Sequence, residues 1–207
     1  MREIKHILDV EQYLKDIEGV IFDMDDTLYS EKDYVRSGYN QIAEYLKLPE
    51  AAEKLWSCFE QKKPAIDVYL AEIGRTELKE ECLKIYRNQT PMIKMYDGVS
   101  QMLVRLKLQG KKLGIITDGR VEGQKKKIVA LGLEPFVDDI IITDELGGIE
   151  FRKPNETAFR MMQDKWQLPF EKMIYIGDNP KKDFIAPEQL EMESLYFRNP
   201  DGLYSNN

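Results

Sequence analysis

The chain has 207 residues, 43% of them hydrophobic and 32% charged, with a formal net charge of −7. That length supports one core, or one core with a sizeable insertion, and the composition is too apolar for a disordered chain and too charged for a membrane protein. No apolar run approaches the roughly 18 residues that cross a bilayer, and the acidic balance argues against a nucleic-acid polymer as partner. The N-terminal segment is interrupted by charges every few residues and lacks the apolar stretch of a signal peptide. A cytoplasmic protein without a membrane partner is expected, as a monomer or homodimer.

In chain order, the spacing of Ile4, Ile7 and Leu8 suggests a packed N-terminal helix, and VIF at 20–22 reads as a short buried strand. From about 30 to 90 no strand signal occurs. Helical patterns at 34–46, 50–61, 65–73 and 77–88 are punctuated by Pro49, Pro64 and Gly74, which predicts an inserted all-α subdomain. Tyr34, Tyr45 and Trp56 lie at helical spacing there and read as its core. Beyond it a helix is expected at 99–108, a strand at 113–116, a helix at 123–131 ending at Gly132, and a strand at 140–142. A helix opening on Pro154 and running to 166 follows, then strands at 173–176 and 194–197. Short β-branched runs alternating with helices mean right-handed crossovers, hence a doubly wound, parallel, Rossmann-like α/β sheet with a helical insertion. The expected division is a core of 1–29 and 91–207 and a cap of 30–90.

Cys58 and Cys82 share no metal-binding spacing and are expected as reduced thiols, and with His6 as the single histidine no ordinary zinc site can be assembled. Chemistry must come from carboxylates, Lys, Arg and hydroxyls. Such residues cluster after the strands. DMDDT follows the first, Thr117-Asp118-Gly119-Arg120 the second, and Asp178-Asn179-Pro180-Lys181-Lys182-Asp183 the strand at 173–176. These are carboxyl ends, the edge where open parallel sheets bind ligands. Three carboxylates within 23–26 repel, and a bound cation, a shared proton or a solvated turn could each offset that. Alternation along an extended segment turns Asp23 and Asp25 to the same side, and Asp178 would bring a third carboxylate to an oxygen-only site that suits Mg²⁺. Thr117, the turn amides and Lys153, ahead of Pro154, would bind an anion with three equatorial oxygens, a phosphoryl group. The pairs Lys111-Lys112 and Lys181-Lys182 and the run Lys125-Lys126-Lys127 read as solvated faces. Tyr29, directly after the first motif, is the aromatic most readily placed near substrate.

DMDDT, the Thr117 strand end, Lys153-Pro154 and Asp178 to Asp183 resemble the four ordered motifs of the haloacid dehalogenase-like superfamily, and the insertion resembles its helical type-1 cap. The likeness covers nearly the whole chain. It implies a two-step phosphatase in which Asp23 attacks phosphorus to form an aspartyl-phosphate and Asp25 protonates the leaving oxygen and then takes a proton from water. It also implies Mg²⁺ held by Asp23, the Asp25 backbone carbonyl and Asp178, with Asp183 in support or orienting Lys153. The phosphate would be met by Asp25, Asp26, Thr117, Asp118 and Lys153. Asp25 speaks against carbon–halogen cleavage, which needs no acid. Its pKa is expected to be raised by neighbouring carboxylates and burial. Asp118 departs from the Asn or Ser of many relatives, and Arg120 is expected either to neutralise it or to meet the substrate's other end. The expected activity is a Mg²⁺-dependent phosphomonoesterase for a small phosphorylated metabolite, a mononucleotide or sugar phosphate. A phosphosugar mutase or a catalytically idle regulatory module are the alternatives.

Overall fold

The computed structural model describes residues 2–203. The strands are β1 (Arg2–Ile4), β2 (Gly19–Phe22), β3 (Lys112–Thr117), β4 (Asp139–Ile142), β5 (Met173–Gly177) and β6 (Glu193–Phe197). They form one sheet in the order β1-β6-β5-β2-β3-β4, and every neighbouring pair is parallel. The chain winds outward from β2 through β3 to β4 and then returns to β5 on the other side, so the strand order reverses beside β2. A crevice at the carboxyl ends of β2, β3 and β5 follows from that reversal.

The central strands are apolar on both faces because both faces are covered. Ile21, Ile116, Ile141 and Tyr175 pack on one face against Ala158, Phe159, Met162 and Trp166 of α7 (Thr157–Trp166). Gly114 permits this: a Cβ there would lie 2.8 Å from Met162 and 2.9 Å from the Trp166 ring. Alternation turns Leu113 and Ile115 to the opposite face. The helix α5 (Val99–Leu108), which also packs on β3, buries Val99, Met102, Leu103 and Leu106. α6 (Val121–Leu131) follows β3 and α8 (Ile185–Gln189) precedes β6.

The chain divides into two compact units, Met1–Glu31 with Lys94–Asn207, and Lys32–Ile93. The second unit is helical, containing most of α1 (Glu31–Leu46) and all of α2 (Ala51–Glu60), α3 (Ala65–Glu72) and α4 (Lys79–Asn88). Its core gathers Val35, Tyr39, Ile42, Leu55, Tyr69, Leu70 and Cys82. Trp56 is buried there beneath the Arg36 guanidinium, and Tyr34 lies edge-on to Tyr86, whereas Tyr45, expected in the core, is exposed. Both cysteines are free thiols.

Two local expectations change. The N-terminus is not one packed helix: residues 2–4 form an edge strand against β6, and only 7–13 form a 3₁₀ turn. Ile4 is buried because it ends that strand, a reason that helical spacing cannot distinguish. Pro154 does not open a helix either, since α7 begins at Thr157, where the Asn155 carboxamide oxygen accepts the Thr157 N–H at 2.8 Å.

Candidate active site

Phe22 stands opposite Ile115 on β3 and Ile176 on β5, so the residues that follow all three strands emerge together. The Asp23 amide continues the ladder by donating to the Ile176 carbonyl at 2.8 Å. A cavity of about 360 Å³ opens there, lined by Asp23, Asp25, Glu31, Asp118, Arg152, Lys153, Asp178, Asn179 and Lys182.

On one side of the cavity lies an acid cluster around Lys153. Its ammonium, fully buried, sits 2.7 Å from Asp23 Oδ1 and 2.8 Å from Asp183 Oδ1, and it donates to the Tyr175 hydroxyl at 2.7 Å. Burial would discharge this lysine, but Asp183 and Asp23 outweigh it and hold the pKa well above the ordinary value. Asp183 is itself fixed by the Asn179 N–H at 2.8 Å on Oδ2. Gly177 makes the room, because a Cβ there would lie 2.6 Å from Asp183 Oδ2. One carboxylate oxygen each from Asp23, Asp178 and Asp183 falls within 4.8 Å of the others, all three residues buried.

A single ammonium does not balance three carboxylates. Burial, with Asp23 and Asp183 nearby, pushes the Asp178 carboxyl up to about 9. Burial also pushes Asp23 up to about 6 against the pull of Lys153. Among the described residues no hydrogen bond or ion pair reaches the Asp178 carboxylate. Converging oxygens, a deficit of positive charge and a buried carboxylate without a donor are what a hard divalent cation would complete, so the donor set fits one.

On the other side is Asp25, and here the expectation reverses. Burial pushes its pKa up, but the charge and hydrogen bond of Lys127, the Tyr29 hydroxyl and the Gln124 amide together bring it below the usual value. Lys127 Nζ lies 2.7 Å from Oδ1, Gln124 Nε2 donates to Oδ2 at 2.9 Å, and the Tyr29 hydroxyl donates to Oδ1. The lysine was expected on a solvated face. It is buried instead, as α6 turns Gln124, Lys127, Ile128 and Leu131 inward at helical spacing. Two polar residues on an apolar stripe were the readable signal.

Thr117 is buried at the end of β3, its Oγ1 accepting from Gln124 at 2.6 Å. Asp118 is neutralised by Lys182 at 2.8 Å and accepts from the Thr143 hydroxyl at 3.0 Å and the Lys153 N–H at 3.1 Å. Arg120, the expected counter-charge, is exposed. Lys182 therefore leaves the solvated set, as does Lys111, whose ammonium donates to the Leu14 and Ile17 carbonyls. The Asp26 carboxylate does not line the cavity, because it accepts the N–H groups of Glu31 at 2.8 Å and Leu203 at 2.7 Å. It secures the loop at a positive φ of 51° rather than meeting a phosphate. Tyr29 reaches the site through Asp25. Glu31, unforeseen, lines the cavity, where burial and the Asp25 charge push its carboxyl up to about 8. Arg152, also unforeseen, forms a two-pronged pair with Asp144 at 2.7 Å.

A family model described as haloacid dehalogenase-like hydrolase matches residues 20–197. The chain is a haloacid dehalogenase-like hydrolase. A glyceraldehyde 3-phosphate phosphatase of Methanocaldococcus jannaschii is 30% identical over 191 residues, covering 85% of this chain and 82% of the relative. Among solved structures, a HAD-superfamily hydrolase of subfamily IA from Geobacter sulfurreducens aligns with a TM-score of 0.70 at 17% identity, covering 89% of each chain. The magnesium-bound HAD-hydrolase YfnB of Bacillus subtilis aligns at 0.64 and 21% identity, covering 87% of this chain and 86% of that one. At those identities the structural likeness speaks for the fold. No helix among the described residues is long and apolar enough to cross a membrane.

Proposed function

We propose that this hydrolase is a phosphomonoesterase for a small phosphorylated metabolite, with Asp23 as nucleophile and Asp25 as the group that moves the proton. The observation that carries this reading is Lys153, which holds Asp23 Oδ1 at 2.7 Å in the wall of a polar cavity and leaves Oδ2 for attack. Asp23, Asp178 and Asp183, with the Asp25 carbonyl, would hold the divalent cation, Mg²⁺ by its preference for oxygen. That ion supplies the positive charge that lets an anionic nucleophile and a phosphate dianion meet.

Thr117, Lys153 and the turn amides at the strand ends bind the phosphoryl oxygens, and Lys182 adds positive charge to the wall. Asp23 Oδ2 bonds to phosphorus as the ester bond breaks, and Asp25 protonates the departing oxygen. The resting Asp25 is ionised, but a phosphate dianion beside it adds negative charge and raises its affinity for a proton. In the second step Asp25 accepts a proton from the water that releases phosphate.

A triose phosphate, the class named for the relative from Methanocaldococcus jannaschii, joins other sugar phosphates and mononucleotides as the substrates to test first. The helical unit is assigned the part of a specificity cap by its place in the chain. Phosphate release from such a panel with Mg²⁺, and its loss with EDTA and in Asp23→Asn, tests the reading. A folded protein that releases phosphate from none of them would overturn it.

A further inference from the structure

The acid cluster explains Lys153 but not Lys127. Its side chain is 7% exposed, and burying an ammonium is costly unless a well-placed carboxylate pairs with it. It lies on α6 one turn after Gln124, and the two occupy positions on the buried stripe that Ile128 and Leu131 continue. Both converge on one carboxylate. Asp25 Oδ1 meets two donors, the Lys127 ammonium at 2.7 Å and the Tyr29 hydroxyl, whereas Oδ2 meets one, the Gln124 amide at 2.9 Å. A carboxylate oxygen has two lone pairs, so Oδ1 is filled and Oδ2 keeps one open.

We propose that Lys127, with Tyr29 and Gln124, is a positioning residue: it occupies Oδ1 of Asp25 and leaves Oδ2 as the single atom that exchanges a proton with leaving group and water. This rests on the phosphomonoesterase reading. In the first half-reaction the P–O ester bond breaks with its electron pair going to the leaving oxygen. That oxygen takes the proton from Oδ2 while an Asp23 oxygen forms the new bond to phosphorus. In the second, a water oxygen bonds to phosphorus, the P–O bond to Asp23 breaks with its electrons returning to that carboxylate, and the water's proton passes to Oδ2. Lys127 neither gives nor takes a proton. It keeps the Asp25 carboxylate from rotating its open lone pair away from the leaving oxygen.

The test compares two substrates in Lys127→Met. 4-Nitrophenyl phosphate releases a stable anion and needs no proton, while the fastest alkyl phosphate of the substrate panel does. Water attack on the aspartyl-phosphate uses Oδ2 whichever ester formed it, so the comparison is made on leaving-group release in a single turnover. Losing aligned proton transfer should slow that step about 10²-fold for the alkyl ester and less than about 3-fold for the nitrophenyl ester. Tyr29→Phe should show the same split at smaller size, and Lys127→Arg should restore part of the alkyl activity. Equal losses on both esters, or no loss on either, would overturn the positioning role. Should Lys127→Met fail to fold, the split in Tyr29→Phe decides by the same criterion. Wild-type protein inactive on both esters, like Asp23→Asn, would instead remove the phosphatase reading, and this inference with it.

Discussion

Asp23 and Asp25 stand two residues apart on one loop, yet their surroundings drive them in opposite directions. Asp23 shares one buried ammonium with Asp183 and faces Asp178, and its pKa rises to about 6. Asp25 meets the charge of Lys127 and the hydroxyl of Tyr29, and its pKa falls below the ordinary value. Identical side chains have been given opposite electrostatic settings by their neighbours: one half of the site is short of positive charge and suited to a cation, the other is already neutral.

The severest way to break this comparison is Asp23→Asn, which should lower phosphate release by about 10⁴-fold or more while leaving the fold intact, since Lys153 keeps Asp183. Steady-state assays beside a thermal melt check both parts. Lys153→Met removes the ammonium that two buried carboxylates share and should cost about 3–5 kcal/mol of stability, measured by urea unfolding. If the acid half is completed by a cation, Mg²⁺ at a hundred times its dissociation constant should add about 2.7 kcal/mol. Asp178→Asn should abolish that increment in the same titration.

The pH dependence sharpens the contrast further. Asp23 at about 6 and Asp178 at about 9 bind protons more tightly folded than unfolded, so without metal the folded chain carries the extra protons between about pH 4 and 9. Stability should therefore fall as pH rises through that window, and added Mg²⁺ should flatten the fall. Asp25 and Asp118, held below the usual range, lose their contribution only as pH drops below about 4. Urea midpoints from pH 5 to 9, with EDTA and with Mg²⁺, would show it. The smallest effect is assigned to Arg120→Ala, which should change stability by less than about 0.5 kcal/mol because Lys182, not the exposed Arg120, neutralises Asp118.

Much of this was legible in the chain. Runs such as Ile140–Ile142 and 173–176 are short, β-branched and bounded by turn residues, so parallel strands could be counted and their polar ends aligned at one edge. The edge strand β1 escaped because three residues carry no period, and the start of α7 was misplaced because an Asx contact from Asn155, not Pro154, opens it.

By itself the sequence determined the order of strands and helices from residue 20 onward, the family, and which edge of the sheet would gather Asp23, Thr117, Asp118 and Asp178, because alternation and strand ends are local properties of the chain. The tertiary structure alone decided which charge meets which. Lys127 follows Lys125 and Lys126 in a run that reads as solvated, and only its place on the buried face of α6 turns it inward to Asp25, 102 residues away. Asp26, one residue past Asp25, is turned to the Glu31 and Leu203 amides by a left-handed backbone that adjacency in sequence does not reveal. Electrostatic partners are set by distances of a few ångströms across the fold, and no local pattern records them.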